Sequence, residues 1–117
     1  MRVGETPTKF IVDSGAGVNI IDSHSFDKLC QTENLSLRST DMKLFTYGSD
    51  VPMKLRGKVN CQISHKKETV PADIYIVSNR YSGCLLGKDT AEELGILKID
   101  RVQRVTGKEE KKPEWIP

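Results

Sequence analysis

The 117-residue sequence lacks most of the features that announce the common small-protein chemistries. It has three cysteines, Cys30, Cys61 and Cys84, an odd number with no Cys-x-x-Cys spacing. That argues against a disulfide framework and a zinc site, and reads as free thiols in a reducing compartment. The two histidines, His24 and His65, lie far from any such pair. No run approaches the roughly 18 apolar residues of a membrane span, and Met1-Arg2-Val3-Gly4-Glu5 has no signal-peptide core. Neither a membrane protein nor an exported precursor is expected. Charge of one sign is also scarce: 18 Lys+Arg against 16 Asp+Glu leave +2, too little to predict nucleic-acid binding.

Familiar catalytic signatures are missing as well. No Gly-Lys-Ser/Thr occurs, so there is no phosphate-binding loop of the Walker type. Gly15-Ala16-Gly17 starts like a dinucleotide fingerprint, but Ile20 stands where the third glycine belongs and no βαβ unit follows. Ser14 is not in a Gly-x-Ser-x-Gly elbow, and His24 has no partner acid at a telling spacing.

What is present is a β-rich pattern at single-domain length, with 37% hydrophobic and 29% charged residues. Thr8 to Val12 ends in the apolar run Phe10-Ile11-Val12 and reads as a strand. From Val51 to Ser64 apolar residues hold odd positions (Val51, Met53, Leu55, Val59, Cys61, Ile63) and polar residues even ones, with a break at Gly57. Period two means one buried face and one wet face, and Gly57 is a candidate bulge. Met42 to Tyr47 joins this run through Gly48-Ser49-Asp50, predicting a hairpin with its tip near Tyr47 to Asp50. Ala72 to Val77 is a further strand.

Asp22 to Leu29, with Phe26 and Leu29 three apart, predicts a short turn of helix. Asp89 to Gly95 predicts a clearer one, with Asp89 as N-cap, Glu92 completing a capping box and Gly95 at the left-handed end. Ile96 to Ile99 reads as a last strand. The expectation is a mainly β fold, a small closed β-barrel with one short C-terminal helix, over residues 1–103, followed by a charged tail or linker at 104–117.

Two segments carry chemistry. Asp13-Ser14-Gly15-Ala16-Gly17 follows an apolar strand, which presents a carboxylate on a tight loop. Gly15 and Gly17 permit positive φ and close backbone approach. Alone, the segment fits an ordinary strand-ending turn equally well. Far downstream, Gly83-Cys84-Leu85-Leu86-Gly87-Lys88-Asp89 sets two bulky apolar residues and a glycine directly before the helix. Each is common; together, in a chain of this length, they are fairly specific.

With these residues the sequence resembles the retropepsin family, and most closely the proteases of gypsy-like LTR retrotransposons. The resemblance spans about Thr8 to Ile99 and rests on Phe10-Ile11-Val12-Asp13-Ser14-Gly15-Ala16, on Tyr47-Gly48-Ser49, and on Leu85-Leu86-Gly87-Lys88-Asp89-Thr90-Ala91 with Leu94-Gly95. It implies a homodimeric aspartic endopeptidase that cuts a retroelement polyprotein, with Asp13 as the catalytic acid of each subunit. It implies that Ser14 hydrogen-bonds across the dimer beside Gly15, that Ala16 lines the substrate cleft, and that Tyr47, Gly48, Ser49 and Asp50 form a flap. Leu85, Leu86 and Gly87 are then expected beneath the loop. The implied partners are a second copy and an extended peptide, with no cofactor, no direct nucleic-acid contact and no membrane, in the cytoplasm or in retroelement particles.

Elementary chemistry agrees with pairing. Hydrolysis of a peptide by carboxyls needs two, one to take a proton from water and one to protonate the carbonyl oxygen. The chain holds a single Asp-Ser-Gly, and a two-fold axis supplies the second acid. Two acids about 3 Å apart do not both ionise and share one proton. The alternatives are a domesticated fold serving as a non-catalytic dimerisation module and an unrelated β-barrel binding module; Asp13→Asn separates them from the enzyme.

Overall fold

A computed structural model describes residues 1–45, 48–78 and 83–96. The elements are β1 (Arg2–Val3), β2 (Thr6–Pro7), β3 (Ile11–Val12), β4 (Asn19–Asp22), α1 (Ser23–Leu29), β5 (Leu55–His65), β6 (Glu68–Val77), β7 (Cys84–Leu86) and α2 (Lys88–Glu93). They form one mixed seven-stranded sheet in the order β2-β1-β5-β6-β4-β7-β3. The sheet curls into a half-barrel. Its two ends, β2 and β3, do not pair with each other among the described residues, so the closed barrel expected from the sequence is not formed within them.

The long β5–β6 hairpin is the frame, paired from Leu55↔Val77 to His65↔Glu68. Its alternation is the one read from the sequence: Val59 and Ile63 are buried while Arg56, Asn60 and Gln62 face water. The register slips between Leu55 and Gly57, where the bulge was expected. Gly57 has φ +147°, and a Cβ there would meet the Arg38 carbonyl oxygen at 2.2 Å, so glycine is needed both for its conformation and for the close approach. The C-terminal part of β6, Ile74 to Val77, is buried throughout, because β4 and β5 flank it and both of its faces are covered. The core gathers Val3, Ile21, Phe26, Leu29, Val59, Ile63, Ile74, Ile76, Leu86, Ala91 and Leu94.

Several expectations change in detail. The strand read over Thr8–Val12 is only Ile11–Val12. Gly4 and Glu5 turn a tight hairpin between β1 and β2, with Gly4 at φ +59°. Both helical segments read from the sequence are present, as α1 and α2. α1 is capped by Asp22, whose Oδ1 accepts the Ser25 N–H at 2.7 Å, and it buries Phe26 and Leu29. In α2 the N-cap is Gly87 and not Asp89. The reason is tertiary: the Gly87 N–H donates to Asn19 Oδ1 (2.8 Å) and the Lys88 N–H to the Ala16 carbonyl (3.0 Å), so the loop and β4 cap the helix. Asp89 falls in the first turn, where its charge suits the helix dipole. Gly95 does take the left-handed position past the helix, with φ +76°. The proposed strand at Ile96–Ile99 and the boundary at residue 103 reach outside the described residues, and the tail 104–117 lies wholly outside them.

Candidate active site

The Asp13 loop leaves the sheet from β3. That strand runs parallel to β7, with Ile11↔Leu85 and Val12↔Leu86 in register, and the Asp13 N–H continues the ladder to the Leu86 carbonyl at 3.0 Å. β7 is antiparallel to β4 on its other side, with Ile20↔Leu85 and Ile21↔Cys84. A three-residue strand thus clamps the segments before and after the loop.

The loop is a tight turn. The Ala16 N–H donates to the Asp13 carbonyl (3.0 Å), and the Gly15 N–H donates to Asp13 Oδ1 (2.9 Å). Asp13 therefore holds its carboxylate with its own backbone, in the manner of an Asx-turn. Its Oδ2 has no protein partner among the described residues, and the side chain is exposed. The glycines act through proximity and not through φ: neither Gly15 nor Gly17 has positive φ, contrary to the expectation from the sequence. A Cβ on Gly15 would stand 3.3 Å from Asp13 Oδ1, whereas one on Gly17 would meet nothing within 4 Å.

Beneath the loop, Leu86 is fully buried. A Cβ on Gly87 would reach the Val18 carbonyl oxygen at 2.7 Å, so the two backbones touch. Leu85 differs from its neighbours: it is half-buried and lines the cavity beside Asp13 instead of lying under the loop. Asn19, which the sequence reading passed over, holds the site together. Buried in β4, it accepts from Gly87 and donates through Nδ2 to Thr90 Oγ1 (2.9 Å) and to the Asp73 carbonyl (3.0 Å). The only hint in the sequence is an amide directly before the apolar pair Ile20-Ile21.

Asp13 opens onto a cavity of about 470 Å3, lined by Gly15, Ala16, Gly17, Val18, Ile20 and Leu85 on one side and by Leu44, Phe45 and Met53 on the other. The second wall is the arm that carries the expected hairpin. Phe45 and Pro52 form an antiparallel bridge, and the Met53 N–H donates to the Leu44 carbonyl at 2.7 Å. At the tip Gly48 has φ +80°, the Val51 N–H donates to Ser49 Oγ (3.2 Å), and Asp50 is exposed. None of Gly48, Ser49 or Asp50 lines the cavity, and Tyr47 lies outside the described residues. Leu44, Phe45 and Met53 went unnoticed as wall residues; their signal was the apolar content at the base of the predicted hairpin. Ser14 is exposed next to Asp13.

At the end of β4, Asp22 joins α1 to the residue before β7: besides capping Ser25, its Oδ2 accepts the Gly83 N–H at 2.6 Å. Burial pushes its carboxyl up, but the hydrogen bonds from Ser25 and Gly83 outweigh that, and the carboxyl sits below its usual range. Burial likewise pushes the Cys61 thiol up to about 11, with Asp73 and Glu33 adding to it.

No protein-family model matches the sequence, and no curated protein matches it either. Solved structures do. An EIAV protease complexed with the inhibitor HBY-793 superposes with a TM-score of 0.68 over 83% of this chain and 86% of that one, at 14% identity. The retroviral protease-like domain of Ddi1 from Leishmania major superposes with a TM-score of 0.55 over 78% of this chain and 70% of that one, at 16% identity. The fold is retropepsin-like.

Proposed function

We propose that the chain is one subunit of a homodimeric aspartic endopeptidase, of the kind encoded by gypsy-like LTR retrotransposons, that cuts a polyprotein into its parts. The observation that carries this reading is an exposed Asp13 carboxylate with one oxygen fixed by its own loop, at the mouth of a largely apolar cavity in a retropepsin-like fold. Such a site is half of a reaction centre. The second copy supplies the other Asp13, and the two carboxyls share one proton. One carboxyl removes a proton from the attacking water while the other protonates the peptide carbonyl oxygen.

In this reading the Ser14 hydroxyls bond across the two-fold axis. The substrate, an extended peptide of about six to eight residues with apolar groups at the cut, lies as a strand between Ala16 on the floor and the arm with Tyr47 to Asp50 above it. Residues 1–103 form the protease domain and 104–117 a linker, and the enzyme works in the cytoplasm or in retroelement particles.

The test is sedimentation of the purified chain together with a pepstatin-sensitive peptide-cleavage assay at mildly acid pH, on wild type and Asp13→Asn. The expected result is a dimer in both and cleavage in the wild type only. A dimer in which neither form cleaves peptide supports the scaffold reading instead.

A further inference from the structure

A second cavity, of about 420 Å3, opens on the opposite side of β7 from Asp13, between the Thr6–Lys9 segment and α1. We propose that it is a binding site for a small organic anion, an apolar body carrying a phosphate or carboxylate. Its floor is apolar, made by Leu29 and the buried Cys84. Its rim carries two cations, Lys9 and Lys28. No Asp or Glu lines it, and neither lysine is in an ion pair among the described residues. The rim hydroxyls of Thr6, Thr8 and Ser25 are already engaged within the chain, with Glu33, the Thr6 carbonyl and Asp22, and are not counted among the donors. Two ammonium groups without an ion-pair partner among the described residues, above an apolar floor, suit one anionic head on an apolar body. An inorganic ion alone leaves the floor unused, and a neutral apolar molecule leaves the lysines without a partner.

The placement links this pocket to the Asp13 cavity. Successive residues of a strand point to opposite faces. In β7, Cys84 floors the anion pocket, Leu85 walls the Asp13 cavity, and the Leu86 carbonyl accepts the Asp13 N–H. Lys9 precedes β3 by a single residue, Phe10. A ligand seated on Cys84 and Lys9 therefore presses on both strands that hold Asp13, and coupling between the two cavities is reciprocal.

The probe is phenyl phosphate, titrated into the isotope-labelled full chain and followed by amide NMR shifts, with inorganic phosphate and benzyl alcohol as controls. Saturable shifts are expected at Thr8, Lys9, Ser25, Lys28 and Cys84, carried on to Leu85 and Asp13. The Lys9→Ala/Lys28→Ala pair is expected to weaken binding about tenfold or more, since charge-assisted contacts are lost, with an unchanged unfolding midpoint because both side chains are exposed. Both controls bind at least about tenfold more weakly. Absence of saturation, equal binding by the double variant, or shifts confined to the Asp13 cavity would overturn the proposal. The titration reads binding and not cleavage, so it stands or falls separately from the protease reading.

Discussion

Asp13 sits on a loop braced from below and behind, whereas the arm that faces it across the cavity touches the sheet at few points. The loop is held by β7 on one side, by Gly87 against Val18 beneath, and by the three hydrogen bonds of Asn19. The arm is held by the Arg38↔Lys58 bridge near its start and the Phe45↔Pro52 bridge within it, and it exposes Leu37, Met42, Phe45 and Val51. The same chain thus braces the Asp13 loop with buried groups and satisfied polar contacts beneath it, and leaves the opposite wall with apolar groups still in water. Under the proposed function, a carboxylate that meets a twin needs the first arrangement, and a wall that receives a peptide benefits from the second, because ordering it on a substrate buries those apolar groups.

The largest expected effect lies on the braced side and is chemical. Asp13→Asn should lower kcat by about 10²–10⁴-fold while leaving the urea midpoint nearly unchanged, since the side chain is exposed. Next is Asn19→Ala, which orphans the Gly87 N–H, the Asp73 carbonyl and the Thr90 hydroxyl. Chemical denaturation should show a loss of at least about 2 kcal/mol, and activity should not return at temperatures where the variant is folded, because Gly87 no longer braces the loop. On the arm, Phe45→Ser should change stability by less than about 0.5 kcal/mol yet raise KM several-fold. Equal destabilisation by Asn19→Ala and Phe45→Ser would erase the contrast between the two walls.

The smallest effect is a pH dependence at the back of the site. The carboxyl of Asp22 is held below its usual range, since the donors from Ser25 and Gly83 overcome its burial. Its contribution is complete above the unfolded carboxylate value of about 3.9 and is lost as pH falls through the lower folded value. Urea midpoints measured from about pH 5 down to about pH 2 should therefore fall more steeply for wild type than for Asp22→Asn. Parallel curves would show that the two donors do not favour the charged form.

How much of this was legible in the sequence follows from what each signal depends on. Local signals held: the alternation of β5, the bulge at Gly57, the short helix after Asp22 and the left-handed Gly95 are decided by neighbours in the chain. Signals set by tertiary contacts did not. β4 is four buried residues with no alternation, because β6 and β7 cover it on both edges, and its Asn19 is paired with atoms from three other segments. Asp89 has the chemistry of an N-cap, but a backbone hydrogen bond from Lys88 to Ala16 moved the cap to Gly87. At the site, Asp13, Leu86 and Gly87 could be singled out because the motif is local at each end. The wall made by Leu44, Phe45 and Met53 could not, since only folding brings that arm over the loop.

The central claim is that two copies each supply one Asp13, and subunit mixing tests it most directly. Wild type and Asp13→Asn are combined in varying ratios at fixed total concentration, allowed to exchange, and assayed for peptide cleavage. Paired acids predict activity that follows the square of the wild-type fraction, about a quarter at an equal mixture. Activity proportional to the wild-type fraction itself, about half at the same point, means that a single chain suffices and contradicts the account.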